Sequence, residues 1–172
     1  MKNVKKRKKR SYHGSETLRK YRSRAMRAND LIRVIASHGR RFFAQCSDMN
    51  TPDKEMTGRI SYFEVNNQGH IFFVNAYKLS RVYLNREKYY WRHWQHGGTL
   101  KDLVEALRDY IKTGEPIPGH LGPHPQWYSQ GDPWGYGEES MGKVRDAAVR
   151  LGIYPKEKKK AVITEVESGE KK

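Results

Sequence analysis

From Leu18 to Ile35 the apolar residues Leu18, Tyr21, Ala25, Ala28, Ile32 and Ile35 recur every third or fourth position, and Arg19, Lys20, Arg22, Arg24, Arg27 and Arg33 stand among them. An α-helix brings residues three and four apart onto one face. Such a segment satisfies both sets at once in only one way: its apolar stripe enters a core and its cationic side meets water. Ser15 is placed to cap this helix, Glu16 falls in the first turn, and Gly39 marks the end.

Upstream, Lys5, Lys6, Arg7, Lys8, Lys9 and Arg10 form an unbroken cationic run. A block of like charge repels itself and has nothing to bury, so residues 1–14 are expected to be a disordered basic arm. Arm and helix together concentrate the charge of the chain. The first 41 residues hold fifteen Lys or Arg against Glu16 and Asp30, which is thirteen of the fifteen net positive charges. A field so directed gathers polyanions, and nucleic acid is the partner it predicts. Lys5, Lys6, Arg7, Lys8, Lys9, Arg10, Arg19, Lys20, Arg22, Arg24 and Arg27 are the candidate phosphate contacts. The same field suits an acidic protein surface or a ribonucleoprotein, and a solubilising tail is the plainest alternative.

Compartment follows from what the chain lacks. No apolar segment follows the basic start, and apolar runs such as Ile71 to Val74 are far too short to span a bilayer, so neither secretion nor a membrane is expected. Cys46 is the single cysteine, which rules out an intrachain disulfide and a cysteine-based zinc site. A cytoplasmic setting is expected, or a nuclear one in a eukaryotic source, where Lys5 to Arg10 reads as a localisation signal.

Strand chemistry comes next. Arg41 to Gln45 is a short candidate. Arg59 to Val65 and His70 to Tyr77 flank Asn66-Asn67-Gln68-Gly69, a hairpin signal. Arg81 to Leu84 and Tyr89 to His93 suggest a second hairpin. Ten of the twenty aromatics lie between Tyr62 and Trp94. On a sheet they either fill the core, which accounts for most of them, or stack unpaired bases. Ile71, Phe73 and Tyr77 share one face and Phe72, Val74 and Ala76 the other, so this strand is apolar on both sides. Gly69 to Tyr77 lacks the basic residue before its glycine and the small residue between aromatics, which excludes an RNA-recognition motif.

Gly97-Gly98 ends the sheet, and Thr99 with Asp102 resembles a capping box. Leu100, Leu103, Val104, Leu107 and Ile111 then form the stripe of a helix that runs to about Lys112, with Gly114 as its stop. Eleven of residues 114–137 are Gly or Pro, interleaved with Trp127, Tyr128, Trp134 and Tyr136. Such a loop clamps a partner or lays its own rings over the sheet. A last helix is expected from Glu139 to Leu151, with Val144, Ala148 and Leu151 inward. The fold class is α+β. It comprises an N-terminal basic helix, a four- or five-stranded antiparallel sheet, two further helices and the long Pro/Gly/aromatic loop. Residues 15–154 form one domain, and 155–172 a flexible charged tail.

In element order, residues 58–112 resemble the small sheet-plus-helix DNA-binding modules of the integrase-arm type. That resemblance implies a sheet laid in the major groove, with Arg81, Arg86, Lys88 and Arg92 as contacts. The plainer role for such residues is as solvated edge charges. His93 with His96 and His120 with His124 are the only enzyme-like pairs, as metal ligands of a nuclease. Gly119, Gly122, Pro123 and Pro125 forbid a helix at the second pair, and no HExxH motif or cysteine accompanies either, so no metal is expected. Gly135-Tyr136-Gly137 is followed by Glu138 and Glu139, which would repel a phosphate. No catalytic residue and no cofactor are assigned. A non-enzymatic nucleic-acid-binding protein is the leading expectation. The alternative is a small phage or mobile-element accessory protein, or inhibitor, anchored on a partner by Trp127, Tyr128, Trp134 and Tyr136.

Overall fold

The periodic segment Ser15–Ser37 is a single helix, α1, in the computed structural model, which describes residues 14–37, 43–44, 58–76, 78–85, 99–117 and 137–156. Its first intrahelical bond runs from the Leu18 N–H to the Gly14 carbonyl at 3.2 Å. Ala25, Ala28, Leu31, Ile32, Ile35 and Ala36 are buried along its length. The three alanines keep the helix surface low, which lets neighbouring elements approach. It packs against the first strand and against both later helices, so α1 is the spine of the described fold.

Strands β1 (Tyr62–Val65), β2 (Ile71–Val74) and β3 (Arg81–Tyr83) form an antiparallel sheet in the order β1-β2-β3. The register places Phe63 opposite Phe73 and Phe73 opposite Val82. Side chains alternate across a strand, so Phe63, Ile71, Phe73 and Val82 point together into the core, where Phe43 meets Phe73 edge-on at 6.1 Å. The hairpin turn lies where the sequence predicts it. Asn66 and His70 close the loop, Gly69 N–H bonds to the Asn66 carbonyl at 3.0 Å, and Gly69 takes φ 77°. The Asn66 side-chain oxygen also accepts from the N–H groups of Gln68 and His70, each at 2.9 Å. Only a glycine adopts the last position of such a loop without strain.

Among the described residues the sheet has three strands, not four or five. Of Arg41 to Gln45, Phe43 and Ala44 are described, and Ala44 makes only an isolated bridge to Ile60. Further along, the open edge of β1 is occupied at Phe63, where the Asn29 side chain bonds to both backbone groups, so no strand can pair at that residue. Tyr89 to His93, the expected partner of β3, lies outside the described residues.

Helix α2 spans Thr99–Thr113 and buries Leu103, Val104, Ala106, Leu107, Tyr110 and Ile111. Gly114 ends it at φ 81° with its N–H on the Tyr110 carbonyl at 2.8 Å. Helix α3 spans Glu138–Arg150 and buries Met141, Val144, Ala147 and Ala148. Its end is a double back-bond: Ile153 N–H reaches Ala148 O at 2.9 Å, and Gly152 N–H reaches Val149 O at 3.1 Å. This closure needs the left-handed Gly152, at φ 70°, and it drives Ile153 into the core. Ile153 O then accepts from Ile117 N–H at 2.7 Å, which ties the exit of α2 to the exit of α3. The architecture is α+β, and buried residues of all three helices join those of the sheet in one core.

Candidate nucleic-acid interface

Burial of one side of α1 forces its cations onto the other. Arg19, Lys20, Arg22, Arg27 and Arg33 are all exposed, together with Met26. Within the helix six Lys or Arg face only Glu16 and Asp30. Glu16 bridges Arg19 at 3.1 Å and Lys20 at 3.6 Å. The hydrogen bond and charge of Arg19, and then Lys20, hold the Glu16 carboxyl below its ordinary range. Asp30 pairs with Arg33 at 2.5 Å. Exposed pairs of this kind are weak, because solvent screens them, so they yield readily to a phosphate.

Arg22 and Arg24 are held differently. Arg22 donates to Asn67 in the β1–β2 turn at 2.6 Å, which fixes the stripe against the hairpin. Arg24 is half-buried and donates to the carbonyls of Ile111 and Lys112 at 3.2 and 2.9 Å. It satisfies the last turn of α2, where unpaired carbonyls carry partial negative charge. Of the cations proposed from sequence, Arg24 therefore serves as a clamp between two helices. The Arg27 side chain remains exposed near the Gly152 turn.

The outer face of the sheet carries a second group of side chains. Tyr62, Glu64, Phe72, Val74, Arg81 and Tyr83 alternate with the core residues and share this face. Phe72 and Tyr83 lie 5.3 Å apart, His70 meets Tyr83 edge-on at 5.2 Å, and the Arg81 guanidinium sits 3.8 Å above the Phe72 ring. Arg81 also bridges Glu64 at 2.8 Å, which neutralises the one acid on the face. Tyr62 is 46% exposed, while Phe72, Val74 and Tyr83 are half-buried.

Arg19, Lys20, Arg22 and Arg27 are thus all exposed on α1, and Arg81 stands on the outer face of the sheet. Lys5, Lys6, Arg7, Lys8, Lys9, Arg10, Arg86, Lys88 and Arg92 fall outside the described residues. So do Trp127, Tyr128, Trp134, Tyr136 and the histidines 93, 96, 120 and 124. Sequence reasoning did not single out Tyr62, His70 and Tyr83 as one group. The apolar character of both faces of β2 was the available signal, but only strand pairing places them together.

The family model described as YoqU matches residues 19–163, a segment that contains β1 to β3, α2, α3 and nearly all of α1. A relative from Bacillus subtilis (strain 168), described as the SPbeta prophage-derived uncharacterized protein YoqU, is 31% identical over 126 residues. These cover 73% of this chain and 78% of the relative. No solved structure matches the chain. Among the described residues no helix is long and apolar enough to cross a membrane.

Proposed function

This chain belongs to the YoqU family, and from that premise we propose that it is a non-enzymatic nucleic-acid-binding protein whose basic arm and Arg-rich helix grip the phosphate backbone. The observation that carries this reading is the division of α1 into a buried side and a solvent side. The helix cannot turn its cations inward without exposing Leu31, Ile32 and Ile35, so its positive field is fixed in direction by the core. Phosphates displace the weak exposed pairs and release condensed counterions, which gives affinity without sequence choice.

A salt-dependent titration on single and double strands of DNA and RNA tests the reading. If six phosphates are engaged, affinity drops by about 10³-fold between 50 and 200 mM salt. Removal of residues 1–14 lowers both the affinity and the slope. A flat titration overturns the proposal.

The prophage origin of the relative favours a companion reading, a phage-type accessory protein that docks an acidic protein surface. The arm would then speed association through long-range attraction. A stoichiometric protein partner that survives nuclease treatment, with no polynucleotide retained at low salt, would replace the first reading with this one.

A further inference from the structure

We infer that the outer face of the sheet is a base-stacking surface for a single-stranded polynucleotide, whose backbone runs beside the cationic stripe of α1. This rests on the proposed function and adds the class of nucleic acid.

The first support is placement. Arg22 touches Asn67 at the hairpin turn and Asn29 touches Phe63 within β1, so α1 runs antiparallel to β1 along its open edge. Asn29 therefore marks where the sheet edge meets the helix circumference. At about 100° per residue, Ala25 and Ile32 lie on the core side of Asn29, and Arg22, Arg33 and Met26 follow on the opposite side. That opposite side turns toward the outer face of the sheet. Arg22, Arg33 and Arg19 therefore stand on the side of α1 that adjoins the outer face, whereas Lys20 and Arg27, at roughly 160–180° from Asn29, lie on the far side of the helix.

The second support is chemistry. Tyr62, Phe72 and Tyr83 place aromatic rings on that face, and the Arg81 guanidinium already sits over Phe72, 3.8 Å from its centroid. A base is able to stack on the free side of that guanidinium or on the exposed Tyr62 ring. Glu64 is the acid on this face, and its pairing with Arg81 removes the repulsion it would exert on a phosphate. From strand spacing and register, Tyr62 and Tyr83 stand roughly 12 Å apart along a diagonal. Successive bases in a duplex strand are about 3.4 Å apart. That span equals about three to four stacked steps and does not by itself exclude a duplex. A base inside a duplex, however, has both faces covered by its neighbours, so a base that stacks on either ring must be unstacked and unpaired, which is the condition of a single strand. A duplex presents only its grooves and phosphates here, so it uses α1 without the rings.

The test uses the full chain with a labelled oligodeoxythymidylate of about a dozen nucleotides, its duplex with oligodeoxyadenylate, and the matching oligouridylate, all at low salt. The expected result is that a single strand binds at least about 10-fold tighter than the duplex. Tyr62→Ala and Tyr83→Ala each weaken single-strand binding by about 5-fold or more and leave duplex binding unchanged, whereas Tyr62→Phe keeps wild-type affinity. A 2-aminopurine base in the strand changes fluorescence on binding wild type and responds less to Tyr62→Ala. Tyr62 is exposed, so its variant folds even if Tyr83→Ala does not; thermal melting checks both. Salt-dependent binding of all probes with no effect of either tyrosine overturns the stacking surface and leaves the phosphate reading standing. Failure of every probe to bind at low salt removes both.

Discussion

Asn29 pairs with Phe63 as a neighbouring strand would: its Nδ2 donates to the Phe63 carbonyl at 3.0 Å and its Oδ1 accepts the Phe63 N–H at 2.7 Å. One side chain of α1 thus satisfies both outward backbone groups of this residue on an edge strand. Open strand edges invite pairing with other chains, and here the helix blocks that route while it fixes its own position against the sheet.

Asn29→Leu leaves both groups of Phe63 without this partner. A loss of about 2 kcal/mol in urea-unfolding stability is expected, from two hydrogen bonds of roughly 1 kcal/mol each. Asn29→Asp keeps the acceptor and loses the donor, so it should fall between the two. Equal stability of Asn29→Leu and wild type would show that water replaces the side chain without cost.

Gly114 and Arg24 form a coupled pair. A Cβ at Gly114 would stand 2.5 Å from Arg24 Nη2, at a backbone φ of 81°. Gly114→Ala should cost about 3 kcal/mol, part of it the left-handed conformation and part the displaced guanidinium. In an Arg24→Ala background the same substitution should cost only about 1–2 kcal/mol, the conformational share. Additive effects in this double-mutant cycle would contradict the clamp.

Leu79 has φ 51° and is exposed, so an apolar, branched residue occupies a left-handed position with little packing to hold it. Leu79→Asn should raise stability by about 0.5–1 kcal/mol, since asparagine tolerates this conformation better. A lowered thermal midpoint would mean that Leu79 is held by contacts rather than strained.

The Glu16 carboxyl is held below its ordinary value in the folded chain, by Arg19 first and Lys20 second. A lowered folded pKa means the interaction is fully present above the unfolded value and is lost as pH falls through the folded one. The stability difference between wild type and Glu16→Gln should therefore be seen at neutral pH, vanish on acidification below the usual glutamate range, and shrink in high salt. In Arg19→Gln the Glu16 carboxyl midpoint, followed by NMR, should rise. A midpoint that does not move would remove Arg19 as the cause.

Each of Arg19, Arg22, Arg27 and Arg33 changed to Gln should reduce the magnitude of the salt slope of nucleic-acid binding by about 0.7–0.9 if that residue meets a phosphate. Arg24→Gln should leave the slope unchanged and lower stability instead, because its guanidinium is committed to the α2 carbonyls. The reverse pattern would place the contact on the other side of the helix.

How much was legible in the sequence differs by element. The α1 stripe, the Asn66–Gly69 turn and the α2 stop at Gly114 were all readable, because helix period, turn chemistry and glycine conformation are local properties. Among the described residues three strands form rather than four or five, since alternation marks a segment as able to pair but not whether an edge is free to receive it. Nothing around Asn29 signals that it would take the place of a strand.

The sequence by itself determined that a helix with one apolar and one cationic side stands at the front of this chain, because charge and periodicity are carried residue by residue. Tertiary structure alone decided where that positive side points and which side chains stand beside it. The angle of α1 against the sheet depends on Asn29, Arg22 and Arg24, which reach Phe63, Asn67 and the end of α2 across distances in the chain that no local pattern encodes.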